Sequence, residues 1–152
     1  MFPVWVAMVF AALIAGYTVI EVQRADRVMA QAQASNAAMG FMAYRRGAQN
    51  FLRANPGHTG MIAHAALTAH FPAGYVNDGR WAAVVDAGRL FVFTVSVPPQ
   101  QDLADSLWRE SGRSPTVGLR HSSGRLFSYA GMDTGIALPP VIPVGAVVMY
   151  GN

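Results

Sequence analysis

The chain has 152 residues, 53% of them hydrophobic, and its eleven arginines and eight acidic residues give a formal net charge of +3. The arginines are scattered from Arg24 to Arg125 without a dense run, which argues against a nucleic-acid-binding protein. The lack of cysteine excludes disulfide bonds, thiolate zinc sites and cysteine nucleophiles.

The chain begins with an uncharged, mostly apolar run that ends at Ile20. A helix over residues 3–20 would be about 27 Å long, close to the thickness of a bilayer core. Proline is tolerated in a first helical turn, and aromatic rings favour the two membrane interfaces. We therefore predict a single-pass membrane anchor over residues 1–21. Its characteristic residues are Pro3, Trp5, Phe10, Leu13, Ile14, Tyr17 and Ile20.

Residues 16–21, GYTVIE, match the prepilin cleavage signature of a glycine, an aromatic residue and then a glutamate. A prepilin carries a short basic leader before the glycine and an apolar run after it, whereas here the apolar run comes first. Cleavage after Gly16 would remove most of the anchor, so we interpret the match as chance. We expect an uncleaved anchor, and processing near the small residues 30–32 stays open as an alternative.

The charges that flank the anchor bear on its orientation. Arg24 and Arg27 follow the anchor, and only the amino terminus precedes it. Taken alone, the positive-inside rule favours a cytoplasmic C-terminal domain.

Small and apolar residues continue beyond the anchor at spacings of three and four, which is a heptad pattern. The heptad stripe consists of Val22, Ala25, Met29, Ala32, Asn36, Met39 and Ala43. It is typical either of an ordinary helix face that rests on its own domain or of a seam for another helix. We predict the seam, with partner contacts at Val22, Met29, Asn36 and Met39. Small seam residues would make a dimer weak, so a partner complex is favoured over a homo-oligomer.

A second stripe on the same helix is more aromatic and should face the folded domain. It consists of Ala37, Phe41, Tyr44, Ala48, Phe51 and Leu52. Asn55, Pro56 and Gly57 then end the helix. These signals predict a membrane-proximal helix over residues 22–55 and a globular domain over residues 56–152 that packs on it.

Three histidines lie in a segment with a short predicted helix over residues 61–69. His58, His64 and His70 are six residues apart, so on a helix each points about 240° away from the last. They are not expected to converge on a metal ion.

The second half of the chain is typical of an antiparallel sheet. Residues 80–85 and 90–97 predict a hairpin that turns at residues 86–88. Phe91, Phe93, Val95 and Val97 would share one face, so we expect one side of the sheet to carry the helix and the other to be less apolar.

The elements that follow are shorter. Residues 100–112 predict a small helix, and a second hairpin should turn at residues 122–124. A proline-rich connector over residues 137–143 leads to a last strand over residues 144–150. The predicted fold is α+β: a transmembrane helix continues into a long amphipathic helix, which packs on four to five antiparallel strands with one further short helix.

The sequence contains no nucleophile elbow, zincin motif, Walker A motif or dinucleotide fingerprint. His121 and Ser122 are adjacent, but a hairpin turn accounts for them better than a catalytic pair. We therefore predict a protein that is not an enzyme, with no catalytic, metal-binding or cofactor-binding residues.

Residues 44–60, YRRGAQNFLRANPGHTG, follow a membrane helix and an Ala/Gln-rich helix in a chain of about 150 residues. This arrangement resembles the PilM family, the small inner-membrane proteins of type IV pilus clusters found on conjugative plasmids. The actin-like cytoplasmic protein of the same name is a different protein. The Tyr-Arg pair at residues 44–45 and the Asn-Pro pair at residues 55–56 are the most distinctive features.

The resemblance implies a structural, non-enzymatic component of a type IV pilus assembly apparatus or basal body. It also implies a bacterial inner-membrane location, a periplasmic globular domain, and contacts with the bilayer and with other pilus assembly proteins, the pilin among them. Two alternatives stay open: a pilin-like subunit of the fibre, either a minor pilin or a pseudopilin, and a membrane-anchored ligand-binding or enzymatic domain.

Overall fold

The computed structural model describes residues 2–96 and 101–151, and it describes side chains in residues 27–96 and 102–151. The chain divides into two compact units, residues 1–33 and residues 34–152. Helix α1, Phe2–Ala54, supplies the first unit and contributes its C-terminal part to the second.

The side chains of the predicted anchor lie outside the described residues. This applies to Pro3, Trp5, Phe10, Leu13, Ile14, Tyr17 and Ile20, and also to Val22 of the heptad stripe. Among the residues that are described, no helix combines the length and the apolar character needed to cross a membrane.

Helix α1 ends where the sequence predicts. Its last residue is Ala54, and the backbone N–H of Asn55 donates to the Phe51 carbonyl at 2.9 Å. The side-chain amide of Asn55 donates to the same carbonyl at 3.0 Å. Asn55 therefore satisfies a carbonyl that the helix leaves without an intrahelical partner.

The second unit is a single antiparallel sheet with helices packed on it. The described strands are β1 Gly60–Met61, β2 Trp81–Asp86, β3 Arg89–Thr94, β4 Val117–Arg120, β5 Arg125–Ser128, β6 Asp133–Ala137 and β7 Val147–Gly151. Their spatial order is β1-β2-β3-β7-β4-β5-β6, and every neighbouring pair is antiparallel. The remaining helical elements are α2 His64–Leu67, a 3₁₀ turn Thr68–His70, and α3 Gln101–Glu110.

Both predicted hairpins are confirmed. In the first, Asp86 pairs with Arg89, and the two residues between them, Ala87 and Gly88, have φ of 48° and 74°. Positive φ at both central positions is the type I′ turn that matches strand twist. In the second hairpin, residues 121–124 connect β4 to β5, and they include the predicted turn at residues 122–124.

The predicted count of four to five strands is wrong, because the described chain has seven. Strand β1 has two residues, too few to show a period, and β6 (DTGIA) is an edge strand with little apolar character. The last strand begins at Val147 because Pro143 and Gly145, with φ of 80°, form a turn before it. The short helix predicted over residues 61–69 is found as α2 and the 3₁₀ turn, which together span residues 64–70, and the helix predicted over residues 100–112 is α3.

The aromatic stripe of α1 faces the sheet, as predicted. Phe41, Tyr44 and Ala48 are fully buried, and the Phe41 ring lies edge-on to Trp81 at 5.3 Å between centroids. On the sheet, this core includes Trp81, Ala83, Val85, Leu90 and Val92.

The expectation that the second face of the sheet is less apolar is wrong. Phe91 and Phe93 lie on the face opposite α1, buried with Leu138, Ile142 and Ala146. The Arg120 side chain donates to the Ile142 carbonyl, which holds this proline-rich segment against the sheet. The proline-rich connector therefore closes a second core.

Gly47 lets the segment after the 3₁₀ turn approach α1 closely. The residue is buried, and an added Cβ would overlap the Phe71 ring, 2.8 Å from its Cε1. At Gly40, on the same helix, an added Cβ would meet only Trp81 Nε1 at an ordinary 3.9 Å.

We expect Gly47→Ala to lower the free energy of unfolding by about 1–3 kcal/mol, because the added methyl overpacks the contact with Phe71. Gly40→Ala is the matched control and should be neutral or stabilising by about 0.4–1 kcal/mol, because alanine has less conformational freedom to lose. Urea unfolding of the full chain measures both. Equal effects of the two substitutions would contradict the close approach at Gly47.

Candidate partner-binding groove

The unit formed by residues 34–152 carries an open groove of about 530 Å³ beside α1. Helix α1 supplies one wall through Met39, Met42, Ala43, Arg45, Arg46 and Gln49. Pro72 and Glu110, the last residue of α3, line the rest.

A chain of aromatic contacts fixes the Pro72 side of the groove. Buried Tyr44 packs on Phe71 with 5.5 Å between ring centroids, and Phe71 packs on Tyr75 at 4.7 Å. The Asn50 side chain adds a hydrogen bond to the His70 carbonyl at 3.3 Å. The groove wall is therefore tied to the buried face of α1.

Arg45 is a charged residue of the groove that is partly buried. Its side chain is half-buried, and its Nε is buried with no hydrogen-bond partner in the described part of the chain. Burial lowers the pKa of Arg45 below the ordinary value of arginine. Its Nη2 lies beside Gly151 in β7, where an added Cβ would be only 2.5 Å away.

The other two charged residues of the groove are exposed. Arg46 lies on α1 and Glu110 ends α3. Among the described residues, neither arginine of the groove forms an ion pair with Glu110. The groove therefore presents two guanidinium groups and one carboxylate.

The predicted partner residues of the heptad stripe are exposed where the structure describes them. Met29 is 66% exposed and Met39 is 55% exposed, and Asn36 is also exposed. Met39 also lines the groove. Whether these residues contact a partner stays a prediction.

Histidines pack on the aromatic side chains of α1. The rings of His58 and His70 lie edge-on to Phe51, with centroids 5.1 and 5.6 Å away. His64 lies 2.8 Å from the Asn77 amide nitrogen and 3.4 Å from the Tyr44 hydroxyl. The described residues contain no group of three potential ligands among His, Cys, Asp and Glu that could hold a metal ion.

The adjacent His121 and Ser122 lie in an exposed turn. The His121 Nδ1 is 3.1 Å from the Ser123 hydroxyl and also accepts from the Ser123 backbone N–H at 3.3 Å. These contacts within the turn account for His121 as a structural residue of the hairpin.

Comparison with protein-family models shows which family this chain belongs to. The family model named PilM matches residues 8–150. The chain belongs to the PilM family. The resemblance carried by residues 44–60 is therefore confirmed, and membership of this family implies a pilus-related role.

Two crystal structures of proteins named PilM are similar to this member of the family. The protein from Escherichia coli B7A shares 24% identity with a TM-score of 0.58, and the match covers 79% of this chain and 92% of that one. The protein from Pseudomonas aeruginosa 2192 shares 31% identity with a TM-score of 0.44, covering 79% and 96%. A comparison with curated proteins gave no match.

Some residues that line the groove belong to patterns visible in the sequence, but the sequence does not predict the groove itself. Arg45 and Arg46 lie within residues 44–60, which carry the family resemblance, and Met39 lies in the heptad stripe. No sequence pattern links Pro72 or Glu110 to α1, because these two residues come close to the helix only in the folded domain.

The aromatic contacts that hold the Pro72 wall should respond to high pH. The Tyr75 hydroxyl is buried without a hydrogen-bond partner among the described residues, and burial raises the pKa of Tyr75 to about 12. The folded state then binds more protons than the unfolded state, whose tyrosine pKa is 10.0. We expect the free energy of unfolding to fall as pH rises from about 10 to about 12.

Tyr75→Phe should reduce that loss and leave stability near pH 8 unchanged or slightly higher, because a buried hydroxyl without a partner is removed. Urea unfolding of both chains across this pH range is the measurement. Parallel pH curves for the two chains would contradict the assignment to Tyr75.

Proposed function

We propose that the protein is a non-enzymatic structural component of a type IV pilus assembly apparatus in the bacterial inner membrane, acting through protein–protein contacts. The observation that carries this proposal is the PilM family match over residues 8–150. A match of that extent includes both the helix and the sheet domain, so the proposed role concerns the chain as a whole.

Exposed apolar side chains on α1 support a role in binding partners. Val28 and Met29 are each 66% exposed in the first unit, and Met39 is exposed in the second. Flexible methionine side chains adapt to different partner surfaces and are common at binding sites. Met29 and Met39, two described positions of the heptad stripe, are thus accessible to another helix.

The lining of the groove supports a non-enzymatic role. Its described lining contains no serine, threonine, cysteine or histidine. A nucleophile with an adjacent base, the usual arrangement for covalent catalysis, is not formed there. Binding through shape and charge is the chemistry that this groove offers.

The heptad stripe can be tested by a double substitution, Met29→Glu with Met39→Glu, in the full chain. We expect co-purification of pilus assembly proteins from the inner membranes of the native host to fall about tenfold or more, because two charges enter an apolar contact. The pilus assembly proteins are quantified by mass spectrometry after affinity purification.

Gln31→Glu is the control, because Gln31 is exposed and points about 200° around the helix from Met29. Retention of partners by the double variant at the level of this control would contradict the seam. Recovery of the chain in sheared pili would instead favour the pilin-like alternative.

We also propose that the predicted anchor crosses the inner membrane once and that the globular domain lies in the periplasm. Alkaline phosphatase and, separately, a fluorescent protein that folds only in the cytoplasm are fused after Asn152. We expect phosphatase activity without fluorescence. Fluorescence without phosphatase activity would mean that Arg24 and Arg27 orient the chain the other way, with the domain in the cytoplasm.

A further inference from the structure

We propose that the groove beside α1 binds a carboxylate on an acidic segment of a partner protein, and that Arg45 and Arg46 receive it. This inference deepens the proposed function, because it gives the chemistry of the surface that a pilus assembly partner would present. The groove shares Met39 with the heptad stripe but does not include Met29.

The first argument is the unsatisfied state of Arg45. A guanidinium group that loses water on burial is costly unless an acid or a hydrogen-bond acceptor compensates for it. The buried Nε of Arg45 has no such acceptor among the described residues. Arg45 is only half-buried and lines the groove, so a carboxylate that enters there can bind the accessible part of this side chain and offset part of the cost of its burial.

The second argument is the position of the Arg45 guanidinium. Its Nη2 lies against Gly151, a residue whose missing side chain leaves room for the group at the end of β7. The strand therefore limits where this end of Arg45 can lie. A site whose cation is held in place loses less conformational entropy when it binds an anion.

The third argument is the balance of charge. Arg46 lies next to Arg45 in the sequence, lines the same groove and forms no ion pair with a described residue. Nearby in α3, Arg109 is already paired with Asp105, whereas Glu110 is the acid that lines the groove. Because two arginines and one glutamate line the groove, its net positive charge favours an anionic ligand.

The fourth argument selects a protein segment as the source of the carboxylate. Met39, Met42 and Pro72 place apolar side chains around the two guanidinium groups. A free phosphate or a flat lipid surface would leave these side chains unused, whereas a peptide can bury an apolar side chain beside its acidic one. The volume of about 530 Å³ lies within the range that binds small ligands.

The test uses the full chain in a non-ionic detergent and two peptides that carry an uncharged dye. One peptide is built from leucine and glutamate, and the other has glutamine in place of every glutamate. We expect fluorescence anisotropy to show that the acidic peptide binds at least about tenfold more tightly.

Substitutions locate the binding. Arg45→Gln and Arg46→Gln should each weaken binding of the acidic peptide by about tenfold. Arg53→Gln is the matched control on the same helix, because Arg53 lines a different groove, and it should change binding less than about twofold. Glu110→Gln should tighten binding, because it removes the acid that repels the peptide.

Equal binding of the two peptides would overturn the proposal, as would an effect of Arg53→Gln as large as that of Arg46→Gln. Displacement of the peptide by equimolar inorganic phosphate would show a general anion site and also overturn it. So would binding to vesicles of anionic lipid that is lost with Arg46→Gln. Because Arg46 and Glu110 are exposed, these two variants decide the outcome even if Arg45→Gln fails to fold.

Failure of this test is distinguishable from failure of the proposed function. The pilus role is measured by the capture of assembly proteins in the native host, and the peptides measure only the groove. A chain that captures its partners but does not discriminate between the peptides would keep the pilus role and lose the carboxylate site.

Discussion

The packing of one face of α1 against the sheet is the interaction on which the rest of the second unit depends. Phe41 and Tyr44 are fully buried, and Phe41 meets Trp81 from the first full-length strand of the hairpin. Burial of each such side chain contributes about 1.5–3 kcal/mol. Since side chains project around a helix at fixed angles, burying this face also determines that Met39 and Arg46 lie outside it.

The face of the sheet opposite α1 is covered as well. Phe91 and Phe93 pack under residues 138–146, and Arg120 holds that segment through the Ile142 carbonyl. Strands β2 and β3 are thereby buried on both faces, which explains their nearly continuous apolar sequences. Helix α1 therefore packs on a sheet that is buried on both faces. This packing determines which residues lie on the outer side of the helix.

Membership of the PilM family implies a pilus-related role. The groove places two guanidinium groups among apolar side chains. Tyr44 belongs to the core while its neighbours Arg45 and Arg46 line the groove. Adjacent residues therefore have different roles: Tyr44 stabilises the core, and Arg45 and Arg46 give the groove its positive charge.

The sequence by itself determined the helix with its aromatic face, the stop at Asn55, the two hairpins and the family, because each depends on local spacing or on turn residues. It did not determine β1, β6 or the second core, since two-residue strands, polar edge strands and proline-rich segments have no local period. The groove was decided only by the tertiary structure, which brings Pro72 and Glu110 to α1 from distant parts of the chain. The partial burial of Arg45 was also decided by the tertiary structure. The loss of water around a side chain depends on which other parts of the chain pack against it, and for Arg45 these include Gly151 at the end of β7.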